Sequence, residues 1–498
     1  MNIARNLERA RLFFPDKNAL IFEGKSYTYR QLDEDVNRLA NGLKSLGIEK
    51  GDRVALFLPN IPGFVIGYFA IQKLGAIAVS VNAMLKREEV KYIVNDSGAK
   101  VLFVNASQRE DVPSEELPAL KQVIIVEGEA SGTDLSIGPF MAKGDTRCPI
   151  VDTDIHDPAV ILYTSGTTGF PKGAVLTQLN IGSNSNSSSH HSGMRPDDRI
   201  HLFLPLFHCF GQNYILNGAF SKCATIVLHR RFEADPIVEA IHRDKVTMFF
   251  GVPTVFTYLL NMDTSKYDMS SLRYCFTAAA NMPKEIALKW KEKFGLTIHE
   301  GYGLTESSPF SSYNHDFRHK FGSIGTPVDN IEMKIVDQEG NELPPGISGE
   351  IIIRGPNIMK GYWGKPEATA DAIRNGWLHS GDIGMTDDEG YFYIVDRVKD
   401  MINAAGFNVY PNEVEQVIYK HPAVQEAAVY GAADPVRGET VHAAVVLKKN
   451  ASVTAEELIE FCRKNMAVYK IPRKVEFVSE LPKSATGKIL KRILRGDK

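Results

Sequence analysis

Short apolar runs and longer helical patterns alternate from Arg53 to Val126, and this alternation restricts the fold more than any other feature. Arg53 to Leu58, Ala76 to Val81, Lys100 to Val104 and Gln122 to Val126 read as strands. Phe64 to Leu74 and Lys86 to Ser97 read as helices, the second amphipathic. Strands joined through helices need crossover connections, which dictates mainly parallel sheets and an α/β fold. A second round starts at Thr225 (TIVL), passes a helix from Pro236 to Asp244, and reaches a strand at Thr247 (TMFFGVPT). A helix from Pro283 to Phe294 then leads to a strand from Leu296 to Glu300. From about Gly322 the signals shorten to strands separated by Gly, Pro and Asp turns, the pattern of a small β-rich subdomain. After Asp400 a compact α+β pattern begins, with a helix near Asn412 to Lys420 and strands at Glu426 to Tyr430 and Val441 to Leu447. A helix from Ala455 to Asn465 follows. The expected division is a large domain over residues 1–398 and a small C-terminal domain over 399–498.

A net charge of -3 and a pI near 6.5 argue against a general nucleic-acid binder. The five cysteines are scattered without a CxxC pair or metal-ligand spacing, which reads as free thiols in a reducing compartment. The first twenty residues lack the apolar core of a signal peptide, and the most apolar stretch, Phe64 to Val81, is broken by Gly67, Gln72, Lys73 and Gly75. With no peroxisomal tripeptide at Gly496-Asp497-Lys498, the expected location is cytoplasmic, with no membrane-spanning segment. A low-complexity patch, Ser183 to Ser192, reads as an exposed polar loop or helix face.

Leu162 to Gly173 reads LYTSGTTGFPKG directly after the apolar run Ala159 to Leu162. Thr164, Ser165, Thr167 and Thr168 supply hydroxyl donors. Gly166 and Gly169 let backbone N–H groups approach an anion closely, and Lys172 adds a point charge. It is not a Walker A loop, because Gly173 stands where that motif needs Ser or Thr. The order TSGTTGxPKG reads as a cradle for a nucleotide polyphosphate.

Four more segments accompany it: Tyr302 to Glu306 (YGLTE), Ser380 to Asp382 (SGD), Asp396 to Asp400 (DRVKD) and Pro482 to Lys488 (PKSATGK). Together they resemble, in order and across most of the chain, the adenylate-forming superfamily. That superfamily holds acyl-CoA synthetases, peptide-synthetase adenylation domains and firefly-type luciferases. The resemblance implies attack of a carboxylate on the α-phosphorus of ATP, loss of pyrophosphate, and then capture of the acyl group by a thiol. The first step demands charge neutralisation and in-line positioning, not a protein nucleophile.

The resemblance also assigns roles. Thr305 contacts the α-phosphate and Glu306 anchors magnesium, although alone Glu306 reads equally as a helix cap. Glu300, Gly301, Tyr302 and Gly303 belong to the ATP site, Tyr302 offering its ring to adenine. Asp382 and Arg397 serve the ribose hydroxyls, where each alone reads as a surface charge. Lys488 reaches from the small domain to the α-phosphate and the carboxylate, where a lysine in a lysine-rich tail would otherwise be inert. His208, in the aromatic turn Pro205 to Gly211, orients the acid and does not transfer a proton; taken alone it reads as a core histidine. Lys399 matches the pivot between an adenylating and a thioester-forming pose, and Gly406 lines the tunnel for the pantetheine arm of coenzyme A. Phe210, Tyr214, Gly251, Ala279 and Gly303 are the pocket walls for the acid.

The aromatic turn lacks the aspartate that holds an amino acid, and Ser307 to Phe321 has no room for the insertion of acyl-AMP ligases. The expected activity is acyl-CoA formation from ATP, a carboxylic acid and coenzyme A. The preferred acid is a medium- or long-chain fatty acid, with an arylpropenoic acid such as a coumarate as runner-up and carrier-protein loading as a further alternative. Tyr214 would shorten a tunnel. The resemblance leaves room for a homodimer.

Overall fold

The computed structural model describes residues 2–164, 171–397, 400–404, 407–434, 438–484 and 487–496. Among the described residues, two sheets of eight and nine strands carry the large N-terminal part. In the first, Arg53–Phe57 lies between Ile77–Ser80 and Val101–Val104, all parallel, and Gln122–Ile125 extends the edge. Pro158–Thr164 joins the other flank in parallel and turns back on Lys172–Thr177. In the second, Thr225–Leu228, Arg199–Leu202, Met248–Gly251, Tyr274–Thr277 and Ile298–Tyr302 run parallel in that spatial order. The α/β expectation therefore holds, because the strands of these rows are largely buried and helices link neighbouring parallel strands.

Local chemistry sets the helix limits. Thr28 caps the helix Tyr29–Ser45 with its hydroxyl while Gln31 reaches back to the Thr28 N–H, a reciprocal capping box. The helix Pro62–Lys73 starts on a proline and is buried almost all round, so it lies between sheets rather than on one face. Ile298–Tyr302 runs two residues further than its sequence pattern suggests, because Gly301 and Tyr302 pair antiparallel with Tyr313 and Ser312.

The patch Ser183 to Ser192 is not an exposed face. It lies on the helix Gln178–His191 and its C-cap, with Ser185, Ser188, Ser189 and Ser192 buried. Serine hydroxyls there return to carbonyls of their own helix, Ser185 to Ile181 at 2.7 Å and Ser189 to Asn186 at 3.1 Å. Small side chains satisfied by their own backbone can be buried without partners elsewhere.

The β-rich part is antiparallel, with Gly349–Arg354 between Glu332–Val336 and Trp377–Thr386, and Phe392–Arg397 beyond. The C-terminal part has its own core, in which Val414 and Ile418 of Pro411–Ile418 pack with Val429, Val445 and Leu458. Its strands Val424–Asp434 and Gly438–Leu447 are longer than their apolar stretches because the ladder continues through polar residues.

Candidate active site

The candidate residues collect where the parallel strands of the nine-stranded sheet end. Gly251, Thr277 and Glu300 are register partners on three neighbouring strands. The carboxyl ends of such strands are where open α/β sheets bind ligands. A Cβ on Gly303 would lie 1.5 Å from the Pro309 carbonyl oxygen, so only glycine allows the turn that follows Tyr302. Ala279 has φ 70°, in the left-handed region that favours glycine.

Thr305 and Glu306 occupy a single 3-10 turn, Thr305–Ser307, whose start is fixed by the Leu304 N–H donating to the Ser307 hydroxyl at 3.0 Å. Two hydroxyls converge on Glu306, with Lys172 beside one of them. The Thr164 hydroxyl donates to its Oε1 at 3.3 Å, the Tyr362 hydroxyl donates to the same oxygen at 2.8 Å, and the Lys172 ammonium lies 5.2 Å from the centre of the Tyr362 ring. Thr164 and Lys172 are register partners across the hairpin. Ser165, Gly166, Thr167, Thr168 and Gly169, expected to hold phosphates, lie outside the described residues.

Tyr302 donates its hydroxyl to Asp382 Oδ2 at 2.7 Å. Asp382 stands directly opposite Arg397 in the antiparallel ladder, so both residues expected at the ribose come from one cross-strand pair. The Arg397 side chain, Lys399 and Gly406 lie outside what is described. Glu300 is buried at the strand end, accepts the Gly322 N–H at 3.4 Å, and has its pKa pushed up to about 8 by loss of solvent.

In the aromatic turn, the Phe210 backbone N–H donates to His208 Nδ1 at 3.2 Å. A neutral imidazole that accepts at Nδ1 carries its proton on Nε2, so His208 presents one N–H donor. Burial, reinforced by the positive charge of Lys488, lowers its pKa to about 4 and keeps the ring neutral. Lys488 therefore acts on the same space as His208 although it belongs to the C-terminal part. Its loop docks on the large domain through Gly487, whose carbonyl accepts from the Thr254 hydroxyl at 3.4 Å. Cys209 packs its thiol 3.4 Å from the Thr305 hydroxyl.

Phe210 and Tyr214 share the helical segment Phe210–Leu216. Tyr214 is 1 % exposed, stacks on Phe276 with centroids 4.9 Å apart, and meets Phe310 edge-on at 4.9 Å. Its hydroxyl shares a hydrogen bond of 2.8 Å with Ser192. A side chain at Gly251 would not point to that face. A Cβ there would meet Phe256 at 3.2 Å and Val255 at 3.3 Å, on the side of the helix Pro253–Leu260.

Sequence reasoning missed Tyr362, Cys209 and the Thr254 docking contact. Tyr362 stands in Gly361-Tyr362-Trp363-Gly364, where the flanking glycines signal a turn but nothing signals chemistry. Among the described residues no group of three or more His, Cys, Asp or Glu could hold a metal by itself, and no helix is long and apolar enough to cross a membrane. A single carboxylate beside a phosphate site nevertheless suits magnesium, which takes one or two carboxylates and completes its shell with phosphate oxygens and water.

Residues 7–363 match the family model described as AMP-binding enzyme, and residues 413–488 match the AMP-binding enzyme C-terminal domain. The chain belongs to the AMP-binding, adenylate-forming enzymes. It is 38% identical to the long-chain-fatty-acid–CoA ligase of Bacillus subtilis (strain 168), covering 97% of this chain and 92% of that protein. It is 37% identical to a feruloyl-CoA synthase of Amycolatopsis sp, covering 98% and 97% respectively. The crystal structure of an anthranilate CoA ligase in complex with anthranoyl-AMP superposes with a TM-score of 0.95 at 33% identity, covering 100% of this chain and 97% of that one. The chain is an AMP-forming acyl-CoA ligase of the adenylate-forming superfamily.

Proposed function

We propose that the acid activated by this ligase is compact, an aryl or arylpropenoic acid, and that the reaction runs through its acyl-adenylate to the CoA thioester. The observation that carries this reading is Tyr214. Its ring is buried, stacked on Phe276 and tied to Ser192, so an acid pocket bounded by Tyr214, as the resemblance implies, would present aromatic faces. Aromatic walls favour a flat ring packed in offset or edge-on contact. Likeness to a feruloyl-CoA synthase and to an anthranilate CoA ligase supports the same class. This reverses the order of substrates expected from sequence. The fatty-acid reading stays as the second one because of the 38% identity to the Bacillus subtilis ligase.

In the first half-reaction, a carboxylate oxygen forms a bond to the α-phosphorus and pyrophosphate leaves. His208 Nε2–H holds the acid, and Thr305 with Lys488 offsets charge at the α-phosphate. Lys172 holds the outer phosphates, Asp382 and Arg397 hold the ribose, and Tyr302 packs on adenine. Glu306 would hold Mg2+, which when bound neutralises phosphate charge. In the second half-reaction the sulfur of coenzyme A bonds to the acyl carbon and AMP leaves. The small domain, taken from residue 399, turns at Lys399 to remove Lys488 and bring Gly406 beside the pantetheine arm.

The test is a mass-detected assay with ATP, magnesium and acids from acetate to palmitate plus benzoates and cinnamates, with and without coenzyme A. The expected result is AMP and acyl-CoA together, with aryl acids preferred. Preference for octanoate or palmitate would establish the second reading. Acyl-AMP that accumulates in the presence of coenzyme A would point to a carrier-protein acceptor.

A further inference from the structure

Glu306 and Lys172 carry opposite charges, serve one anionic ligand in the proposed mechanism, and make no direct ion pair among the described residues. Tyr362 touches both. Its hydroxyl donates to Glu306 Oε1 at 2.8 Å, while the lysine ammonium lies 5.2 Å from its ring centre. An ammonium on an aromatic face is attracted by the ring, and a carboxylate oxygen accepting a phenol is held in one orientation.

The backbone places this side chain firmly. Gly361–Tyr362 pairs antiparallel with Ala174 and Val175 of the strand that begins at Lys172. The Trp363 N–H donates to the Gly173 carbonyl at 2.8 Å, and the Met359 N–H donates to the Glu306 carbonyl at 2.8 Å. The Tyr362 N–H is satisfied by the Thr369 hydroxyl at 2.9 Å. Gly361 has φ 143°, and a Cβ there would meet Thr369 at 2.6 Å, so the segment tolerates no side chain before the tyrosine. One strap thus fixes the backbone beside Lys172, the backbone of Glu306 and one carboxylate oxygen.

We propose that Tyr362 is the positioning residue of the cation–triphosphate site. With Thr164 it occupies Oε1 of Glu306 and leaves the other oxygen for the cation, and it keeps Lys172 from closing on that carboxylate when no nucleotide is bound. Without the phenol, Glu306 turns toward Lys172 and the two charges quench each other, so that magnesium and triphosphate must first separate them. The proposal rests on Glu306 being the cation anchor, which the test examines separately.

The experiment measures ATP binding by calorimetry across a magnesium titration, with AMP binding measured in parallel, on wild type, Tyr362→Phe and Glu306→Gln. Tyr362→Phe keeps the ring and its packing and removes only the hydroxyl. The expected result is a rise of about tenfold in the magnesium concentration that half-saturates ATP binding, with AMP affinity within about twofold of wild type. Glu306→Gln should abolish the magnesium dependence. If Glu306→Gln abolishes it and Tyr362→Phe leaves it unchanged, Tyr362 has no positioning role. If Glu306→Gln keeps the full dependence, the cation is anchored elsewhere and the proposal falls with its premise. A loss of AMP affinity in Tyr362→Phe equal to its loss of ATP affinity would mark general damage to the site and likewise overturn it.

Discussion

Tyr302 and Asp382, from the end of the last parallel strand and from the antiparallel β-rich sheet, are joined by a hydrogen bond of 2.7 Å. The bond ties the proposed adenine surface to the proposed ribose acceptor, so the two halves of a nucleoside would meet a single braced unit. Removing the hydroxyl in Tyr302→Phe leaves the ring and takes this donor from the carboxylate. The expected outcome is an increase in KM for ATP of about three- to tenfold with kcat within about twofold, read from steady-state pyrophosphate release. A fall in kcat with KM unchanged would contradict the brace.

Lys488 acts on the His208 ring from a loop that docks on Thr254 through Gly487. Lys488→Ala should slow acyl-AMP formation by about 10²–10³-fold while leaving thioester formation from supplied acyl-AMP within about twofold. Lys399→Pro, which restricts the backbone at the proposed pivot, should give the opposite split. Single-turnover assays of the two half-reactions decide, and equal losses in both would argue against two poses.

Widening the pocket at Tyr214 should change the acid and not the chemistry. Tyr214→Val removes the stacked ring and its bond to Ser192, opening space bounded by Phe276 and Phe310. The ratio of kcat/KM for octanoate over cinnamate is expected to rise by about tenfold or more. Because a large buried side chain is lost, Tm should also fall, in line with a cost of about 2–5 kcal/mol. An unchanged ratio would show that Tyr214 does not bound the acid site.

The buried histidines and Glu300 pull stability in opposite directions with pH. His208, His191, His229 and His319 are each lowered to about 4 chiefly by burial. Their unfolded forms bind protons that the folded forms refuse, so stability is present above about pH 6.5 and is lost as pH falls toward 4. Glu300, raised to about 8 by burial, keeps its proton in the folded chain, so stability falls as pH rises from about 4.5 through 8. In urea unfolding, Glu300→Gln should remove an alkaline loss of about 2 kcal/mol between pH 6 and 8. Parallel pH profiles for the two proteins would show that Glu300 is not titrating there.

The parallel sheets were legible because most strands of the two rows carry a short apolar run, and Thr305, Glu306, Asp382 and Lys488 could be singled out because each sits in a short motif. Tyr362 was not, since a phenol becomes informative only once folding sets it against Glu306, more than fifty positions away. The serine-rich helix misled for a related reason. Composition reports polarity, whereas burial depends on whether the hydroxyls find their own helix carbonyls, as Ser185 does with Ile181. Gly251 is a wall position by resemblance; a Cβ there would point at Phe256 and Val255, whereas its strand neighbour Phe250 packs on Tyr214. A one-residue difference along a strand decides the side.

Cys209 lies with its sulfur 3.4 Å from the Thr305 hydroxyl, and burial pushes its pKa up to about 12. An acyl-adenylate is a mixed anhydride that acylates the first thiolate to reach it, and thiols that keep their proton are poor nucleophiles. In the proposed reaction, an acyl group activated beside this sulfur would meet a protonated thiol and not a thiolate, chiefly through burial with the Glu306 charge adding to it. The acyl group would then be left for a sulfur that arrives from solution.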